Sequence, residues 1–203
     1  MIVLHLVRHA ETIWHAENKY AGHKDIPLTE LGHSQAQELI KWAREIQPSA
    51  IYSSDLIRAI DTARPLGDAL GIEAKIDARL REVNFGEIEG LTQFEMKEEY
   101  PELYENYLIT PANVQMPSGE SGKTALERAW PAVTEIINQN NDQDIILVSH
   151  GTLIRLIACE LLGIELNKYR QIFPDIVNTA KISIRISKPI DGEEISAGIL
   201  SLK

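Results

Sequence analysis

The sequence predicts an α/β protein: a three-layer α/β/α sandwich with a mostly parallel central sheet and a small helical insertion over the active site. Three observations lead there. Short apolar runs alternate with amphipathic stretches of helical period along the chain. The runs are apolar on both alternating positions, as strands covered on both faces are. The chain has 203 residues, the size of one large domain or a core with an insertion. The expected organisation is one domain spanning 1–203 with a lid-like insertion at about 92–122.

The elements follow in order. Ile2 to Val7 reads as a buried strand stopped by Arg8-His9. A polar loop from about Ala10 to Leu28 carries Gly22 and Pro27 as breakers. Thr29 is a candidate N-cap for a helix whose Ala36, Leu39, Ile40 and Ala43 share one face as far as Ile46. Ser49 to Tyr52 is a second strand. Ser53 or Ser54 is expected to cap a helix over about Asp55–Leu70, which Gly71 ends. Ala74 to Ile76 is a third short strand.

The stretch from Thr92 to Gly122 is acidic and aromatic, holds Pro101, Pro111 and Pro117, and predicts one helix around Phe94–Tyr107. Its glutamates read as a solvated face. A helix from Ser121 to about Asn138 and a turn at Asn140-Asn141-Asp142 lead into Asp144–Ser149, the most apolar strand of the chain. His150-Gly151 breaks it, and a helix runs to Leu162 before Gly163. Ala180–Ile186 alternates apolar and polar residues, Asp191-Gly192 signals a turn, and Ile195–Leu200 returns as a strand.

Composition narrows the function. Twenty Lys and Arg stand against thirty Asp and Glu, a formal charge of −10. So acidic a surface repels a nucleic-acid backbone, and no nucleic-acid partner is expected. One cysteine, Cys159, forbids an internal disulfide framework or a multi-cysteine metal site. No run approaches a membrane span, and the opening apolar run has no basic leader, so a cytoplasmic location and no membrane partner are expected. No Asp, Glu or His spacing matches a metal site, so neither metal nor other cofactor is expected. The length suits a monomer or a small homo-oligomer equally.

Two strands end in histidine before a small residue: Arg8-His9-Ala10 and Ser149-His150-Gly151. Ligands of open α/β sheets bind at the carboxyl ends of strands. Arg58 falls in the first turn of the helix after the second strand, and the third strand leads to Leu80-Arg81-Glu82. Two His, two Arg and one Glu gathered at strand ends suit phosphoryl transfer. Its transition state spreads charge over three equatorial oxygens and needs fixed cationic or N–H donors. A half-deprotonated imidazole can attack phosphorus, and a carboxyl group can protonate the departing oxygen. Gly119-Glu120-Ser121-Gly122-Lys123-Thr124 is not a nucleotide P-loop, because Pro117 stands where the first glycine belongs. Arg64, Arg81 and Arg155 read as plain surface charges, His23 and His33 as surface residues, and His5 as core or rim.

The run Leu6-Val7-Arg8-His9-Ala10-Glu11-Thr12, with Gly22 and Asp25 to Gly32, resembles the signature of the histidine phosphatase superfamily, the phosphoglycerate-mutase-like group. Ser53 to Ala59, Leu80-Arg81-Glu82 with Phe85 to Gly90, and Val148-Ser149-His150-Gly151 agree in the same order. The resemblance covers Met1 to about Leu162. It implies His9 as nucleophile through a phosphohistidine, Arg8, Arg58 and His150 as holders of the phosphoryl group, and Glu82 as proton donor. It extends to His15, Gly22, Glu120, Gly151 and Thr152 as residues on the side of a small phosphorylated substrate. Ala10 stands for the usual Gly, His15 for an Asn, Lys19 for an Arg and Ala21 for a Gln. Mutases of the group carry a longer basic insertion after the acid, whereas here an acidic one follows, so a small phosphatase is the nearer match. A phosphomutase using the same residues, and a non-catalytic phospho-ligand module, stay as alternatives.

Overall fold

The computed structural model describes residues 1–140, 143–187 and 196–202. Six strands form one sheet: β1 (Ile2–Arg8), β2 (Ala50–Ser53), β3 (Lys75–Ile76), β4 (Asp144–Ser149), β5 (Lys181–Ser187) and β6 (Ser196–Leu202). Their order is β3-β2-β4-β1-β5-β6. The first four are parallel, with Leu6 opposite Leu147 and Tyr52 opposite Leu147 on its other side. β5 pairs antiparallel with β1, and β6 with β5. The alternating pattern of β5 fits that position near the sheet's edge. The turn expected at Asp191-Gly192 and most of that at Asn140-Asn141-Asp142 lie outside the described residues.

Period-two geometry sends neighbouring side chains of β4 into different layers. Ile146 and Val148 join Leu39, Ala43, Ala59, Ala63 and Leu66, the buried stripes of α2 (Glu30–Ile46) and α3 (Ile57–Leu70). Ile145 and Leu147 join Leu126, Val133, Leu153 and Ile157, from α6 (Gly122–Gln139) and α7 (Gly151–Leu161). Both faces are therefore covered, which is why β1 is apolar apart from His5 and Arg8 and β4 is apolar between Asp144 and Ser149. A four-residue helix, α1 (Ile13–Ala16), interrupts the first loop. Thr29 caps α2 by accepting from Gly32 N–H, and Ser121 caps α6 by accepting from Thr124 N–H.

Two elements differ from expectation. Neither Ser53 nor Ser54 caps α3: its N-cap is Leu56, and the Ile57 N–H donates instead to Asp25 Oδ1 at 2.6 Å. The insertion holds two helices rather than one, α4 (Gln93–Glu99) and α5 (Pro101–Ile109). Proline biases the residue before it away from helix, and Tyr100 has φ −132° and ψ 59°. Thr92 and Glu95 close a capping box on α4. Met96 and Tyr107 anchor the pair in the main core, while Glu98, Glu99, Glu102 and Glu105 face solvent. A last helical turn, α8 (Tyr169–Ile172), precedes β5.

Candidate active site

The carboxyl ends of β1 and β4 place His9 and His150 side by side, their rings 5.2 Å apart. His9 Nδ1 lies 2.7 Å from the Ala10 carbonyl. A carbonyl only accepts, so Nδ1 carries the hydrogen and a neutral ring keeps its lone pair on Nε2. Burial and then the charge of Arg58 hold the His9 pKa well below its ordinary value, so that ring is neutral at pH 7. His150 is held low by the same causes in the same order. Its Nδ1 accepts from Arg58 Nε at 3.2 Å, which leaves the hydrogen of neutral His150 on Nε2. The two histidines are therefore opposite tautomers at Nε2, one an acceptor and one a donor.

Arg58 is fully buried at the start of α3. It donates to the Gly22 carbonyl at 2.6 Å and the Lys24 carbonyl at 2.8 Å, besides its bond to His150. Thr62, one turn on, donates to the Arg58 carbonyl and accepts from the Ala10 N–H, tying α3 to the end of β1. Arg8 leans the other way and donates to the Ile176 carbonyl. Burial lowers both guanidinium pKa values to about 10, so both remain cationic at neutral pH. Among the described residues, Arg8 Nε and His150 Nε2 are buried donors without a hydrogen-bond partner. Buried donors are rarely left so, and an acceptor-rich ligand is the natural complement.

Glu82 is buried across the site, on the segment after β3. Its Oε1 accepts from Val83 and Leu153 N–H, each at 2.9 Å, and its Oε2 from Thr152 N–H at 2.8 Å. The carboxylate thus sits on the amino-terminal turn of α7, where backbone N–H groups lack helical partners. Arg128 braces this segment by donating to the carbonyls of Arg79, Arg81 and Glu82.

A cavity of about 720 Å³ is lined in part by Arg8, His15, Glu82, Gly151 and Thr152, with His9, Arg58 and His150 not among its lining residues. The ring of His15 lies 4.9 Å from that of His9, and burial with Arg8 pushes its pKa down to about 3. Gly22 and Glu120, expected on the substrate side, are not lining residues. Gly22 holds Arg58 through its carbonyl, and a Cβ there would fall 2.1 Å from Glu89 Oε1. Glu120 accepts from Asn84 N–H and Arg128, fastening the insertion to the Glu82 segment. His23 is half-buried, with Nε2 3.0 Å from the Glu82 carbonyl, rather than a surface residue. Arg155 is also no plain surface charge, since it lines the cavity. Arg81 and Arg64 do make outward ion pairs, with Asp55 and Asp61. His5 is a core residue between Ser183 and Asp144.

Residues 4–189 match the family model described as histidine phosphatase superfamily, branch 1. The chain belongs to this family. Phosphoserine phosphatase 1 of Hydrogenobacter thermophilus is 32% identical over 169 residues, 83% of this chain and 80% of its own. Phosphoglycerate mutase-like protein 4 of Arabidopsis thaliana is 36% identical over 153 residues, 74% of this chain and 66% of its own. Among solved structures, native mycobacterial glucosyl-3-phosphoglycerate phosphatase superposes with a TM-score of 0.89 at 28% identity, covering 98% of this chain and 96% of that one. The family match extends past Leu162, where the sequence motifs stop, and takes in the segment before β5, whose Ile176 carbonyl accepts from Arg8 and whose Asn178 donates to the His9 carbonyl. Among the described residues, no helix is long and apolar enough to cross a membrane.

Proposed function

We propose that this histidine phosphatase hydrolyses a small phosphomonoester through a phosphohistidine at His9. One observation carries the reading: a lone-pair nitrogen on His9 stands beside the unpartnered buried donors of Arg8 and His150 at one end of the sheet.

The chemistry follows from those positions. Arg8 Nε–H and His150 Nε2–H, with the charge of Arg58, hold the phosphoryl oxygens and stabilise the charge they gather in the transition state. His9 Nε2 forms a bond to phosphorus as the ester oxygen departs, and that oxygen takes its proton from the Glu82 carboxylic acid. The Glu82 carboxylate then removes a proton from water, whose oxygen displaces His9 Nε2 and gives inorganic phosphate. His15, Gly151 and Thr152 line the substrate side. Gly22 and Glu120 act one layer back, by holding Arg58 and the Glu82 segment.

The whole chain is read as one domain, with residues 92–122 as a lid over the cavity; Gln93, Phe94 and Tyr107 of that segment line it. A cytoplasmic setting agrees with the free, buried thiol of Cys159.

The test is chemical trapping. Parent enzyme given a phosphoryl-labelled phosphomonoester and quenched in alkaline detergent should carry label that survives alkali and is lost in acid, as in a phosphoramidate. His9→Ala should carry none and should lose turnover. A mutant that hydrolyses ester as fast as the parent overturns the reading.

A further inference from the structure

β1 ends at Arg8, yet every backbone polar group from Arg8 to Glu11 has a partner. The Arg8 N–H donates to the Ala180 carbonyl, the His9 N–H to that of Ser149, and the Thr179 N–H to the carbonyl of Arg8. Past that point side chains take over. Asn178 donates its amide to the His9 carbonyl at 3.1 Å. Thr62 accepts from the Ala10 N–H at 2.9 Å. Gln35 Oε1 accepts from the Glu11 N–H at 2.9 Å. The Ala10 carbonyl, between the last two, meets His9 Nδ1 at 2.7 Å. The Glu11 carbonyl accepts from the Thr29 N–H.

Three side chains far apart in the chain thus grip two consecutive peptide planes. A trans peptide carries its C=O and N–H on opposite edges. The His9–Ala10 plane is held on one edge by Asn178, from the segment before β5, and on the other by Thr62 of α3. The Ala10–Glu11 plane is held at its N–H by Gln35 of α2, which leaves its carbonyl aimed at the His9 ring. Close approach of α2 makes this possible. A Cβ on Gly32 would fall 2.1 Å from the Glu11 carbonyl oxygen, so glycine is what lets the first turn of the helix lie against Glu11. Gln35 follows Gly32 by three residues and shares its face of the helix.

We propose that Gln35, Thr62 and Asn178 are positioning residues that fix the tautomer of the nucleophile. By holding the two planes they keep the Ala10 carbonyl on His9 Nδ1, so that Nε2 presents its lone pair. The inference rests on the phosphatase reading above and deepens it with residues outside the cavity lining. A neutral imidazole can carry its hydrogen on either nitrogen, and the partner of each nitrogen decides which. A carbonyl turned away from Nδ1 frees the hydrogen to move to Nε2, where it blocks attack on phosphorus. Thr62 also donates to the Arg58 carbonyl, so one side chain keeps the nucleophile and a phosphoryl-holding arginine in register.

Gln35 is the handle for a test, because it is only half-buried and lies on a helix of 17 residues. Gln35→Met removes the acceptor at similar length, and Gln35→Glu keeps it. Nitrogen NMR spectra of the imidazoles, assigned with His9→Ala, should place the parent's His9 hydrogen on Nδ1. Gln35→Met should show a mixture of tautomers. Its rate of phosphoenzyme formation, measured by rapid quench with a nitrophenyl phosphate, should fall by roughly 3- to 10-fold, the worth of one neutral hydrogen bond. Gln35→Glu should keep the parent's tautomer and rate. Tungstate, a dianion shaped like phosphate, should bind all three alike, because Arg8, Arg58 and His150 still hold it. Asn178→Ala, measured the same way, serves if melts show Gln35→Met unfolded. A parent His9 with its hydrogen on Nε2 overturns the proposal without any variant. So does a folded Gln35→Met enzyme with the parent's tautomer and rate, or one whose lost rate is matched by lost tungstate affinity. These results leave the phosphatase reading intact. Failure of the parent on every phosphomonoester, an aryl phosphate included, sinks the phosphatase reading itself.

Discussion

Replacing Glu82 with Gln separates the proton-donor role from every other contribution of that side chain. The carboxylate accepts three N–H bonds, from Val83, Thr152 and Leu153, at 2.9, 2.8 and 2.9 Å. A glutamine oxygen in the place of Oε1 keeps the bonds to Val83 and Leu153. Its NH₂ then faces the Thr152 N–H, donor against donor. One unmet buried donor costs about 1–3 kcal/mol, so the melting temperature should fall by several degrees while the fold persists.

The kinetic effect is separate and larger. An alkyl phosphate expels a strongly basic alkoxide and needs the proton, so kcat/KM should drop by roughly 10²- to 10⁴-fold. A nitrophenyl phosphate expels a stable phenolate and should lose far less. The comparison belongs in kcat/KM, which stops at departure of the alcohol and excludes the later attack of water. Loss of the base should also slow that second step and give a burst of nitrophenol as the phosphoenzyme accumulates. Equal falls in kcat/KM on the two esters would refute the assignment of Glu82 as the acid.

Acidification should destabilise the protein before its carboxylates titrate. His9 and His150 are held neutral in the fold, with pKa values far below the ordinary 6.5, so the unfolded chain binds more protons below that pH. Stability therefore falls as pH drops through 6.5, by on the order of 1 kcal/mol for each of the two between pH 7.5 and 5.5, and His15, also held low by burial, adds to the fall. Urea melts across that range check it; a flat profile contradicts two neutral buried imidazoles. Gly22→Ala should act at a distance. The added Cβ meets Glu89 Oε1 at 2.1 Å and Phe85 N at 2.8 Å, and that carboxylate is already held by His23 and Lys24 N–H. The loop must shift, at a cost of about 1–3 kcal/mol, and Arg58 loses the register of two carbonyl partners. A fall in kcat/KM on all esters alike is expected from steady-state assays, with no change in leaving-group dependence.

The order of elements was legible because each leaves a local mark. β4 is apolar at every inner position because helices cover both its faces, and its sequence bounds agree with the structure. Thr29 and Ser121 cap helices through N–H groups three residues away, well within the reach of a local reading. Arg8, His9, Arg58, Glu82 and His150 could be picked out because strand ends lie on one rim of a parallel sheet. Pro101 also marked the break between α4 and α5 locally; the long aromatic pattern of Phe94–Tyr107 hid it.

What tertiary structure decided is of another kind. The cap of α3 comes from Asp25, and the brace of the Glu82 segment from Arg128, across 32 and 46 residues of chain. No local pattern announces such a partner. His23 and Arg155 look like surface charges until the fold turns them toward Glu82 and the cavity. The choice of tautomer at His150 depends on a guanidinium delivered from another helix. Sequence alone determined the layers and which polar residues stand at the strand ends, since periodicity and strand ends are properties of neighbouring residues. Which donors were left unpaired, and therefore what the cavity can hold, was decided only by contacts between residues far apart in the chain.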